Sequence, residues 1–230
     1  MVITGGSRGI GRAMVEKFSS ESFDIMVSAR NLTDLQKLKV EIEKNHANTV
    51  HIFKGDIAVT VEVKAFADFV LSKARPVDVL INNAGYFAPG EITTEPDGTL
   101  ESTMNANLFS AYYMTRGLVA SMKKNKSGHI FNMCSVASIR AYPNGGSYAI
   151  SKFALLGFSK CLREELKPHG IKVTAIMPGA TRTASWEGSD LPDSRFMKPE
   201  DVAESVYAAY SLSSRSVVEE IIIRPQLGDI

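Results

Sequence analysis

Tyr148 and Lys152 stand four residues apart, a spacing that allows proton chemistry. They lie in a stretch of helical periodicity, where residues i and i+4 share one face a turn apart. A free phenol titrates at about 10 and is a poor acid–base group at neutral pH. An ammonium beside it favours the phenolate and lowers that value. Tyr148 tuned in this way gives a proton to a carbonyl oxygen or takes one from an alcohol. Ser135 closes an apolar run earlier in the chain, and its hydroxyl is suited to holding the same substrate oxygen. A tyrosine and a lysine at this spacing are also common on helix surfaces, so the pair alone decides nothing.

A second constellation sits at the start of the chain, Thr4-Gly5-Gly6-Ser7-Arg8-Gly9-Ile10-Gly11. It follows a short apolar run and opens a helical segment. Gly5 permits a tight turn, Gly9 lets the backbone approach a pyrophosphate, and Gly11 lets the helix pack close to a sheet. The phosphate would then meet free N–H groups of the loop and helix N-terminus, from Ser7 to Gly11. The next apolar run ends in Ser28-Ala29-Arg30-Asn31. A cofactor lacking a 2′-phosphate favours a carboxylate there, and none is present. Arg30, with Arg8 in reach, instead suits a 2′-phosphate as a planar fork. The expected cofactor is therefore NADP(H), with Asn31 beside it; two solvated arginines are the plain alternative. Asp56-Ile57 ends the third run. Its carboxylate suits an adenine amino group, or equally a helix cap.

The elements that must position these groups alternate regularly. Apolar runs lie at Val2-Ile3, 24–29, 49–53, 77–81, 129–134, 171–177 and 217–223. Helix-period segments lie between them, over 10–20, 32–45, 59–74, 102–124, 147–167 and 199–212. Pro199-Glu200-Asp201 opens the last with residues that suit a helix N-terminus. Continuous apolar strands alternating with helices predict an α/β fold, a doubly wound Rossmann-type single sheet of seven parallel strands with helices on both faces. Such sheets bind ligands beyond the carboxyl ends of their strands, where these motifs fall. One domain over 1–230 is expected.

Composition narrows the function classes. The chain has 230 residues, 44% of them hydrophobic, enough for a sizeable core. Its 26 Lys and Arg nearly cancel 25 Asp and Glu, for a net charge of +1. That balance argues against nucleic acid and against anionic membranes as partners. No apolar run reaches the ~20 residues of a membrane span. The start lacks the basic region of a signal peptide, and the only cysteines, Cys134 and Cys161, imply no disulfide framework. A cytoplasmic location is expected. The histidines (His46, His51, His129, His169) are scattered without metal-ligand spacing, so no metal site is expected.

Taken jointly and in order, the glycine loop, Asn82-Asn83-Ala84-Gly85, Asn107, Ser135, Tyr148-x-x-x-Lys152 and Pro178-Gly179 strongly resemble the short-chain dehydrogenase/reductase family over essentially the whole chain. The resemblance implies that Ser135, Tyr148 and Lys152 are catalytic. It implies that Asn107, rather than the nearby Asn105, holds a water in the proton relay behind the lysine. It places Asn83-Ala84-Gly85 beside the adenosine ribose, and Pro178-Gly179 with Thr181 and Thr183 over the nicotinamide amide and phosphates. Lys152 and Tyr148 also meet the nicotinamide ribose. Residues 180–198 match the family's substrate lid, with Trp186 and Tyr142 as pocket residues and Tyr86 and Phe87 as weaker ones. The apolar face of the Tyr148 helix (Phe153, Leu155, Leu156, Phe158, Leu162), together with the 102–124 helix, implies a homodimer or homotetramer.

The expected activity is an NADP(H)-dependent oxidoreductase acting on a carbonyl/alcohol pair, with reduction the favoured direction. The C-terminal part resembles the sepiapterin-reductase-like branch, while 3-oxoacyl carrier-protein reductases share the catalytic pattern. A non-catalytic NADP(H)-sensing protein on the same fold is the remaining alternative. Nucleotide-sugar epimerases need a longer C-terminal part than this chain offers.

Overall fold

The computed structural model describes residues 1–230. Seven strands, β1 (Val2–Thr4), β2 (Ile25–Ala29), β3 (Val50–Lys54), β4 (Val79–Asn82), β5 (Gly128–Met133), β6 (Ile171–Pro178) and β7 (Glu220–Ile223), form one sheet in the order β3-β2-β1-β4-β5-β6-β7. Every pairing is parallel. The helices are α1 (Gly9–Ser20), α2 (Leu32–Asn45), α3 (Thr60–Leu71), α4 (Thr99–Met104), α5 (Ser110–Asn125), α6 (Gly146–Leu166) and α7 (Pro199–Ser211).

Strand alternation sorts the apolar side chains onto the two faces. Ile3, Val27, Ile81, Phe131 and Ile176 join residues of α1, α2 and α7 in one core. Val2, Met26, Leu80, Ile130 and Val173 join α3, α5 and α6 in the other. The apolar face read on the Tyr148 helix divides: Leu155, Leu156 and Leu162 are buried, whereas Phe153 is exposed. The chain runs outward from β1 to β3 and then returns on the other side of β1 through β4. That reversal opens a crevice at the carboxyl ends of β1 and β4.

Several predicted boundaries differ, among them the end of the helix expected over 59–74, which stops at Leu71. The helix expected over 102–124 is in three pieces, because Asn105–Phe109 form a π-helical turn between α4 and α5. The Ser110 N–H reaches back five residues to the Asn105 carbonyl. Such turns carry one extra residue and reorient the side chains on them. Here the turn holds Asn107 almost fully buried while Asn105 stays half-buried. The last strand starts at Glu220 rather than 217, and just before it the Thr174 hydroxyl donates to the Val218 carbonyl at 2.5 Å.

A polar chain crosses the core beneath the crevice. Asn82 Nδ2 donates to Asn132 Oδ1 at 2.8 Å and to Thr115 Oγ1 at 3.1 Å. Asn132 Nδ2 donates to Ser159 Oγ at 2.8 Å. These paired amide donors fix the height of α5 and α6 on the sheet, since a slip would leave them unpaired, while Asn82 Oδ1 itself has no partner.

Candidate active site

The glycine loop joins β1 to α1 as the spacing requires. Gly5 and Gly9 have φ of +68° and +53°, in the left-handed region. A Cβ on Gly11 would stand 2.3 Å from the Gly5 carbonyl oxygen and 2.5 Å from Asn83 Nδ2. The N-cap of α1, Arg8, makes no side-chain capping bond. The first turn therefore presents free N–H groups to an open cradle, which fits a pyrophosphate. Asn83 acts through this loop: its Nδ2 donates to the Thr4 and Gly5 carbonyls, both at 3.0 Å, while Ala84 N donates to Thr4 Oγ1. Gly11→Ala is expected to lower unfolding stability by ~1–3 kcal/mol through overpacking against backbone and to weaken dinucleotide binding. Thermal unfolding and a fluorescence titration with NADPH measure both effects; a variant matching the parent in each would contradict this packing.

At the end of β2, Arg30 is exposed and has no carboxylate partner. Arg8, expected to join it, is paired with Asp34 Oδ2 at 2.8 Å. Asn31 Oδ1 caps α2, accepting from Thr33 N at 2.9 Å and Asp34 N at 3.3 Å. Asp56 closes the turn before α3 by accepting from Ala58 N at 2.9 Å, with the half-buried Ile57 between them. The helix-capping use foreseen for Asp56 is not met, because the N-cap of α3 is Val59 and no side chain caps that helix. After β6, buried Pro178 and half-buried Gly179 lead into a segment that returns over the loop. Thr181 Oγ1 donates to the Gly179 carbonyl, and the Thr183 methyl lies 3.1 Å from where a Gly9 Cβ would stand.

The proton-handling residues meet beyond β4 and β5. Ser135 follows β5 and caps a short 3₁₀ turn, its Oγ accepting from Ala137 N at 3.1 Å. Tyr148 and Lys152 share one face of α6, the ammonium 5.7 Å from the ring centroid. Lys152 Nζ donates to the Met133 carbonyl at 2.7 Å. Asn107 is fastened to both sides: its Oδ1 accepts from Tyr86 N at 2.9 Å, and its Nδ2 donates to Tyr86 O at 3.1 Å and Ser151 Oγ at 2.9 Å. A Cβ on Gly85 would lie 2.6 Å from Asn107 Oδ1 and 3.7 Å from Lys152 Nζ, so this glycine keeps their neighbourhood open. Ser151, whose Oγ also donates to the Tyr148 carbonyl at 2.7 Å, gave no signal in the sequence beyond its place between Tyr148 and Lys152.

Burial governs the titration of both groups. It pushes the Tyr148 phenol above its ordinary value, against the lowering effect of the nearby Ser135 hydroxyl. It pulls Lys152 from 10.5 down to about 8. The expectation that the lysine lowers the phenol's pKa is not met in this state of the site. The ammonium is turned toward the Met133 carbonyl, and loss of water outweighs its field. Burial likewise raises the Cys134 thiol to about 11, so it is no nucleophile at neutral pH. Tyr142, pushed up to about 12 by burial and by Tyr148, borders the phenol. Phe87 packs edge-on against the Tyr148 ring at 4.9 Å. Trp186 packs on Phe196 at 5.2 Å, within its own segment. No group of three or more His, Cys, Asp or Glu side chains is arranged for a metal ion, and no helix is long and apolar enough to cross a membrane.

Comparison with known proteins agrees with this arrangement. Residues 1–192 match the family described as short chain dehydrogenase. A sepiapterin reductase of Chlorobaculum tepidum is 34% identical over 238 residues, covering 100% of this chain and 97% of the reductase. An alcohol dehydrogenase of the archaeon Thermococcus sibiricus, solved with 5-hydroxy-NADP, superposes with a TM-score of 0.91 at 26% identity, covering 98% of this chain and 95% of its own. The L-sorbose reductase of Gluconobacter frateurii, solved with NADPH and L-sorbose, superposes with a TM-score of 0.90 at 27% identity, covering 97% and 94%.

Proposed function

The chain belongs to the short-chain dehydrogenase family, and on that premise we propose that it is an NADP(H)-dependent carbonyl reductase with Tyr148 as its proton donor. The observation that carries this reading is the convergence of buried Ser135, Asn107 and Lys152 with the half-buried Tyr148, beside a glycine loop that leaves the first N–H groups of α1 uncapped by any side chain. The dinucleotide, when bound, supplies hydride to the carbonyl carbon. The remaining work belongs to the chain. Loop and α1 N–H groups receive the phosphates, and Arg30 receives the 2′-phosphate. The ammonium of Lys152 has donors beyond the one given to Met133, available to ribose hydroxyls. Ser135 orients the carbonyl oxygen toward Tyr148.

Burial keeps the phenol protonated at neutral pH, the form that a reduction consumes. Asn107 and Ser151 hold the helix and the loop after β4 around that phenol. Sepiapterin, L-sorbose, an acetoacetyl thioester and a simple ketone, offered with NADPH and followed by loss of its absorbance, test the reading. Turnover of at least one is expected, and failure of all four with tightly bound NADPH would overturn it. Arg30→Ala is expected to weaken NADPH about tenfold, in line with a lost charge-assisted hydrogen bond, and to leave NADH binding unchanged. Fluorescence titrations with the two nucleotides give the comparison; equal losses for both would move the 2′-phosphate site elsewhere.

A further inference from the structure

Helix α6 carries the proposed proton donor in its first turn, yet its own N-cap residue is Gly145, which has no side chain to cap it. The cap arrives from the loop between β4 and α4. Glu95 Oε2 accepts from Ser147 N at 3.3 Å, and the Ser147 hydroxyl donates to Glu95 Oε1. We propose that Glu95 is a positioning residue for Tyr148, its carboxylate clamping the first turn of α6 to that loop so that the phenol and the loop wall move as one body. The inference rests on the reading of Tyr148 as proton donor.

Three further observations support the clamp. Ser147 is fully buried, so its hydroxyl and N–H depend on Glu95 rather than on water. The junction is built for close approach: Gly146 has φ +36°, and a Cβ there would stand 2.4 Å from the Gly90 carbonyl and 2.9 Å from Glu95 Oε2. The same loop is joined to the helix twice more, by Gly90 N donating to the Asn144 carbonyl at 3.1 Å and by Phe87 packed on the Tyr148 ring. The neighbouring acids Glu91, Asp97 and Glu101 stay exposed, and Glu95 alone among them turns inward. A carboxylate at this end of a helix also meets the positive pole of its dipole. The other end of the loop is held by the reciprocal bonds between Tyr86 and Asn107. Fixed at both ends, the loop leaves the phenol one orientation, and small misplacements of a reacting group cost rate rather than binding.

Glu95→Ala, Glu95→Gln and Tyr148→Phe, compared with the parent, test this. Glu95→Ala is expected to lower kcat about tenfold on the fastest carbonyl of the panel above. NADPH affinity should stay within twofold, because the glycine loop does not touch Glu95. Hydrogen exchange, read without substrate, should rise at residues 146–149 and 87–92 and stay unchanged in α1. Glu95→Gln keeps an acceptor for Ser147 and should recover at least half of kcat and the slow exchange. A Glu95→Ala variant with unchanged exchange, or with kcat within twofold of the parent, refutes the clamp. So does a Gln variant no better than Ala. If Tyr148→Phe keeps most turnover, the underlying reading fails instead; an inactive Tyr148→Phe beside a normal Glu95→Ala refutes the clamp alone.

Discussion

Tyr148→Phe is expected to lose roughly a thousand-fold in kcat, within the 10²–10⁴ range of a general acid, while NADPH binds as before. The change removes one oxygen and keeps the ring against Phe87, so the helix and its packing stay in place. The proton donor disappears; Ser135 remains, but a serine hydroxyl orients an oxyanion without supplying an easily given proton. Steady-state rates at saturating NADPH, with a parallel fluorescence titration, separate the two effects. A phenylalanine variant retaining most of its turnover would remove the proton-transfer role assigned here.

Lys152→Met is expected to abolish most activity and, in the same molecule, to stabilise the fold. The ammonium is buried, and its pKa of about 8 against 10.5 in the open chain means that holding the charge inside is unfavourable. The interval corresponds to ~3 kcal/mol at most. Methionine fills a similar volume with no charge, though it leaves the Met133 carbonyl without its donor, so a net gain of ~1–2 kcal/mol at pH 7 is expected. The sign follows from proton binding. Between pH 8 and 10.5 the unfolded lysine is protonated and the folded one is not, so parental stability rises with pH across that window. Below pH 8 the penalty is present in full. The advantage of the variant should therefore be largest at neutral pH and shrink toward pH 10.5, as denaturant titrations at a series of pH values would show. A methionine variant less stable than the parent at pH 7 would contradict the burial argument.

Much of this is legible in the amino-acid sequence. Strand and helix positions follow from continuous apolar runs and period-3.6 patterns, and the observed sheet has the seven parallel strands they imply. Glycine spacing and Tyr-x-x-x-Lys located the crevice. Three things were hidden, each because it depends on distant partners. The π turn at Asn105–Phe109 leaves the apolar pattern of a helix intact, so periodicity reads straight through it. The titration of Tyr148 and Lys152 is set by how deeply α6 sinks against the sheet, which a spacing of four residues does not encode. Glu95 lies in a polar loop with nothing to distinguish it from Glu91 until Ser147 is brought beside it.

The strand order also bears on how a ribosome can deliver this molecule. When residues 1–54 have emerged, β1, β2 and β3 are available, but Val2 and Ile3 still lack the neighbours Leu80 and Ile81 that will pair with them from the other side. Until then the central strand β1 is an open border with unmatched amides, the kind of template to which stray chains add. The nascent chain crosses that exposed interval before β4 arrives to seal it, so its hazard during synthesis lies between the emergence of β1 and that of β4.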